Sequence, residues 1–119
     1  MAQLNAPEDK VCKTLAQETA FEVSLDLGVM MRVRFVRQRN RIISFVVQLE
    51  CLIDNNWYPI IRYDTAHQFA HYDILRPDGT QDKRPMSVTD FNEALTYAQQ
   101  DIKANFRYYR TRFEGWLNE

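Results

Sequence analysis

The hydrophobic pattern of this chain changes period once along its length. Phe21, Val23, Leu25 and Leu27 alternate with Glu22, Ser24 and Asp26, and Met31, Val33 and Phe35 alternate with Arg32 and Arg34. A period of two puts the apolar set on one face of a strand. Far downstream, Phe91, Leu95, Ala98, Ile102, Phe106, Tyr109, Phe113 and Trp116 recur at three- and four-residue spacing. That is one apolar stripe on one long helix. A run of strands followed by a single helix implies a two-layer α+β fold, in which sheet and helix bury each other's apolar face.

The strands follow one another with short turns. Gly28 turns the first into the second, and antiparallel pairing there sets acids opposite arginines on the outer face. The segment 37–40 leads into a long β-branched run, 42–53, with Ser44, Gln48 and Glu50 at alternate places, which reads as a central strand. Asp54-Asn55-Asn56 is turn chemistry, because Asp and Asn tolerate positive φ. Residues 57–64 make a fourth strand, with Pro59 confined to an edge, a bulge or a non-bonded position. A kink over 65–68 precedes a fifth strand, 69–75. Arg76-Pro77-Asp78-Gly79 then forms a tight turn. The helix is expected from Ser87 to Leu117, with Ser87 starting a capping-box-like segment that ends at Asp90. The architecture expected is a five-stranded antiparallel β-meander with a long C-terminal helix packed on one face. A homodimer could bury the helix stripe between subunits instead.

With 119 residues, 45% of them hydrophobic and 26% charged, the chain can build a core of its own. Residues 17–119 are expected to form a single α+β domain. Residues 1–16 are polar, carry Pro7, and are expected to be a tail or a short helix. A net charge of −1 argues against a nucleic-acid binder held by bulk charge. Local clusters are another matter. Arg32, Arg34, Arg37, Arg39 and Arg41 crowd one hairpin and could contact RNA or a protein partner. Arg107, Arg110 and Arg112 crowd the helix. The plainer reading of both is a solvated face paired with carboxylates. No apolar stretch is long enough to span a membrane, and the N-terminus lacks a signal peptide's basic start and apolar centre. A cytoplasmic protein without a membrane partner is therefore expected. Cys12 and Cys51 have no metal-binding spacing, and Cys51 lies in an apolar run as an expected buried thiol.

Chemistry concentrates in residues 62–73. Both histidines, His67 and His71, fall there with Arg62, Asp64 and Asp73. Three readings follow. His67 and His71 could act as general acid and base, with Asp64 or Asp73 orienting one imidazole and Arg62 on a phosphate. A metal-independent ribonuclease needs that set, and it needs no cofactor. Alternatively, His67, His71, Asp64 and Asp73 could ligate a zinc- or manganese-type ion. Four residues of straight strand would separate the histidines by roughly 13 Å, so chelation requires the kink before Phe69. Third, the polar face could bind a partner protein without catalysis. The structural alternative is that Arg62, Asp64 and Asp73 form salt bridges and the histidines cap a turn.

The segment from Arg62-Tyr63-Asp64-Thr65-Ala66-His67 through Phe69-Ala70-His71 and Asp73 to Pro77-Asp78-Gly79 resembles a family of small uncharacterised prokaryotic proteins. The likeness extends over most of residues 30–113, including Phe45-Val46-Val47-Gln48-Leu49-Glu50 and Ala94-Leu95-Thr96-Tyr97-Ala98. It implies a fold and no activity. A looser similarity links the chain to TumE-type toxins of toxin–antitoxin pairs, which share a meander, an Arg-Tyr/Trp-Asp strand end followed by histidines, and a helical region. Thr65-Ala66-His67 departs from their usual sequence at that point, and their downstream histidine-rich stretch is missing. This resemblance implies a small toxin-like ribonuclease, or an accessory protein of the same fold, with RNA and an antitoxin as partners.

Overall fold

A computed structural model of the protein describes residues 16–119. Cys12 and the expected N-terminal tail or helix, up to residue 15, lie outside the described residues; Ala16 is already the first residue of a strand. The order of elements is β1 (Ala16–Asp26), β2 (Val29–Gln38), β3 (Arg41–Ile53), β4 (Asn56–Asp64), a 3-10 turn (Ala66–Gln68), β5 (His71–Leu75), β6 (Gln81–Pro85) and the helix α1 (Phe91–Leu117). The strands form one antiparallel sheet in the order β1-β2-β3-β4-β5-β6. The α+β class, the antiparallel meander and the long C-terminal helix agree with the sequence pattern. The sheet has six strands rather than five.

Turn chemistry sets the register. Gly28 has φ +70°, and a Cβ there would lie 3.4 Å from Leu52 Cβ. Both the conformation and the close approach favour glycine. Asp54 and Asn55 have φ 53° and 69°, the left-handed pair that closes a two-residue hairpin. Glu22 pairs with Arg32 across β1 and β2 in an ion pair, so acids do stand opposite arginines.

Alternate residues of β2 and β3 point under the helix. Val33, Phe45, Val47 and Leu49 are buried, as are Leu95, Ala98, Ile102, Phe106 and Phe113 of α1. The helix lies over β3 and β4. Phe35, Phe91, Tyr109 and Trp116 are partly buried at the margin of this core. Cys51 is fully buried beneath the helix, and burial pushes its thiol up to about 11. Polar contacts at the margin of the core tie the layers together. Tyr63 of β4 and Tyr109 of α1 both donate their hydroxyls to Asp101 Oδ2, and Asn105 donates to Asp101 Oδ1 at 2.9 Å. Burial, reinforced by Asp101, raises both phenols above their usual range. Among the described residues no helix is long and apolar enough to cross a membrane.

Five local expectations are corrected. β6 went unread because Gln81-Asp82-Lys83-Arg84-Pro85 has neither apolar alternation nor β-branched residues. It is an exposed edge strand, where charge and proline are favoured because they deter further pairing. β5 is shorter than expected, starting at His71 and not Phe69. In β4, Tyr58, Ile60, Arg62 and Asp64 do not share a face. The register shifts between Leu49 and Glu50, Ile60 is the extra residue, and Tyr58 packs on Phe113 of the helix with ring centroids 5.2 Å apart. The helix starts at Phe91, and the cap is Asp90, whose carboxylate accepts from the Asn92 N–H at 2.7 Å; Ser87 lies outside it. Leu27, read as the last inward residue of β1, is 92% exposed, because the turn begins there.

Candidate functional site

The hairpin β4–β5 assembles the polar cluster on the sheet face away from the helix. Asp64 ends β4 and His71 opens β5, directly opposite it; Asp73 lies two residues on, on the same face. The kink expected between them is real. Thr65 anchors it, accepting the Phe45 N–H on its hydroxyl at 3.0 Å and the Gln68 N–H on its carbonyl at 3.0 Å. His67 and Gln68 take φ 68° and 70°, uncommon for residues other than glycine and held here by the surrounding bonds. Ala66 N–H donates to Asp64 Oδ1 at 3.1 Å, fixing that carboxylate.

Around His71 three charged groups meet. His71 Nε2 lies 2.8 Å from Asp64 Oδ1 and 3.8 Å from Asp73 Oδ2. Lys83 Nζ, from β6, lies 3.0 Å from the same nitrogen and 3.3 Å from Asp73 Oδ1. The imidazole is fully buried, and the side chains of Asp64 and Asp73 are 13% and 3% exposed. His71 Nδ1 faces the Phe69 carbonyl at 3.3 Å. A carbonyl only accepts, so this contact assigns the proton to Nδ1 and leaves a lone pair on Nε2 in the neutral ring. Lys83 can donate to that lone pair, but Asp64 Oδ1 then meets it with no hydrogen between. Protonating Nε2 satisfies Asp64 and sets two N–H groups against each other at Lys83. No protonation state of His71 satisfies both neighbours. Asp73 Oδ1 is also poorly served. It is within ion-pair distance of Lys83, yet this buried oxygen accepts no hydrogen bond.

Among the described residues, Asp64, His71 and Asp73 are the one group of three such donors able to hold a metal ion, with one ligand atom each and all three atoms within 4.8 Å of one another. Ligand atoms around an ion at about 2.0–2.2 Å stand about 3–3.5 Å apart, so modest side-chain shifts would close the set. The backbone contact of Nδ1 is the second-sphere bond that metal-bound histidines commonly make.

The other sequence candidates lie close by or elsewhere. The His67 ring centroid is 6.4 Å from that of His71, far nearer than a straight strand would allow, but His67 is exposed and outside the triad. Arg62, opposite Asp73 in register, donates instead to Gln48 Oε1 at 2.8 Å. From there a polar chain runs across the sheet. Gln48 donates to Glu50 at 2.7 Å, Arg32 to Glu50 at 2.9 Å, and Arg32 pairs with Glu22. Arg32 and Arg34 are thus matched by acids, Arg34 by Glu18 at 3.4 Å. Arg37, Arg39 and Arg41 are exposed around the β2–β3 turn. Sequence reasoning missed Lys83. Its signal was faint, a lysine two residues before Pro85 in a polar segment, and only strand pairing sets it opposite Asp73.

Residues 14–119 match a domain of unknown function, DUF7718. The chain belongs to that family. No curated protein and no solved structure matches it. An uncharacterised family agrees with the first resemblance read from the sequence; neither the toxin likeness nor a prokaryotic origin is supported by the match.

Proposed function

We propose that this protein binds one divalent first-row metal ion through Asp64, His71 and Asp73. The observation that carries the reading is the unresolved bonding of His71 Nε2. That nitrogen offers a lone pair toward a carboxylate 2.8 Å away, and a second buried carboxylate beside it has an oxygen without a hydrogen bond. A metal ion accepts a lone pair from the nitrogen and one from each carboxylate at once. One imidazole with two carboxylates suits zinc, manganese or ferrous iron. Three protein ligands leave further coordination positions for water, as in catalytic sites and unlike closed four-ligand structural sites.

Protein stripped with chelator and dialysed against Zn²⁺ or Mn²⁺ should take up one equivalent, and its melting temperature should rise with metal concentration. Asp73→Asn, nearly isosteric, should weaken binding about 10–100-fold or more, given that even outer-shell partners of metal sites cost that much. His67→Ala should bind as wild type does. Uptake unchanged in Asp73→Asn and His71→Asn, or no uptake at all, would refute the site.

A second reading uses the same cluster without metal. His67 and His71 would serve as acid and base for RNA cleavage, with Arg62 on the phosphate, as the sequence suggested. The full burial of His71 weighs against it, because a general base must reach its substrate. Cleavage of labelled single-stranded RNA that survives EDTA and is lost in both His67→Ala and His71→Ala would favour it over the metal reading.

A further inference from the structure

Within the proposed metal site, on which this rests, we infer that Lys83 is a tethered competitor, a cation that holds the ion's place and must leave before a metal can bind. Lys83 Nζ contacts His71 Nε2, an atom that the ion would need, at 3.0 Å, and it pairs with the Asp73 carboxylate through Oδ1 at 3.3 Å. A metal takes the Nε2 lone pair at about 2.0–2.1 Å, so the ammonium cannot keep its bond to the same pair. Two positive charges would also share one buried pocket.

Lys83 has somewhere to go. Its side chain is 42% exposed, against 3% for Asp73 and none for His71. It is thus the most exposed member of an otherwise largely buried cluster. Its strand is the edge of the sheet, five residues long and paired only with β5. The grip of Lys83 on Asp73 is incomplete, since Asp73 Oδ1 accepts no hydrogen bond from it. A strong ligand atom held by a weak, removable partner is what an exchange requires. Without metal, Lys83 compensates the two aspartates; with metal, the ion does so and the lysine is released to solvent.

Two consequences separate this from a lysine that merely packs nearby. First, Lys83→Met keeps the length of the stem and removes the charge. It should bind metal about tenfold more tightly, the factor expected if the lysine occupies the site in about nine molecules of ten. The same variant should melt below wild type without metal and at or above it with saturating metal. Second, in wild-type protein, labelling of Lys83 by an amine-reactive reagent, read by peptide mass spectrometry, should rise several-fold when Zn²⁺ or Mn²⁺ is added, while exposed Lys103 stays constant. The labelling needs no variant, so it decides the matter even if Lys83→Met folds poorly. Equal metal affinity in wild type and Lys83→Met, or Lys83 labelling that is unchanged or reduced by metal, would overturn the exchange and leave the metal site standing. No metal uptake by either protein would remove the site itself.

Discussion

Replacing Tyr63 by Phe removes one oxygen from the seam between sheet and helix and leaves the ring in place. Tyr63 is 2% exposed, and its hydroxyl donates to the Asp101 carboxylate, which Tyr109 also engages at 2.6 Å. A hydrogen bond to a charged group typically contributes about 1.5–3 kcal/mol. The loss in Tyr63→Phe should fall toward the lower end, because Asp101 retains Tyr109 and Asn105. The pH dependence sharpens the test. Burial first, then the bond to Asp101, raises the Tyr63 phenol above its ordinary value of 10.0. The folded protein therefore keeps a proton that the unfolded chain releases above about pH 10. Stability from this group is fully present below pH 10 and falls as pH rises beyond it, by roughly 1.4 kcal/mol per pH unit for each such tyrosine. Urea unfolding followed by tryptophan fluorescence, at pH 8, 10 and 11, measures both quantities. Wild type should be the more stable at pH 8, and the gap to Tyr63→Phe should narrow toward pH 11. A gap under about 0.5 kcal/mol at pH 8, or one that does not narrow, would show that the bond to Asp101 is not what holds this seam.

Two further outcomes follow from the core. Ile102 is fully buried midway along α1, so Ile102→Ala should cost about 2–5 kcal/mol in urea unfolding; a loss below about 1 kcal/mol would mean that the helix is not seated on β3 and β4 as described. Cys51, its thiol pushed up to about 11 by burial, should resist iodoacetamide at pH 8 in native protein and react in denaturant, as read by peptide mass spectrometry; rapid native alkylation at Cys51 would contradict its burial.

The change from period two to period three-and-four determined the fold class by itself. Alternation can bury one face only of a strand, and the helical stripe can bury only against such a face, so the α+β layering of Val33, Phe45 and Val47 under Ala98 and Ile102 was legible in one dimension. Turn residues were legible for the same local reason, as at Gly28 and Asp54-Asn55. The sequence also singled out Arg62, Asp64, His67, His71 and Asp73 together, because few side chains share their chemistry and all lie within one hairpin, but it did not separate Asp64, His71 and Asp73 from the other two. What it did not determine depends on contacts between distant strands. The bulge at Ile60 reverses the side on which Tyr58 lies, and a one-residue slip leaves no mark in the residue types themselves. An edge strand such as β6 is shaped to avoid pairing, so it carries no apolar alternation to read. Only the pairing of β5 with β6 sets Lys83 against Asp73 and His71, and only the left-handed turn at His67 and Gln68 returns the chain so that Asp64 faces His71 while His67 stays outside. Register and backbone handedness, which are tertiary quantities, decided which of the charged residues in this segment came together.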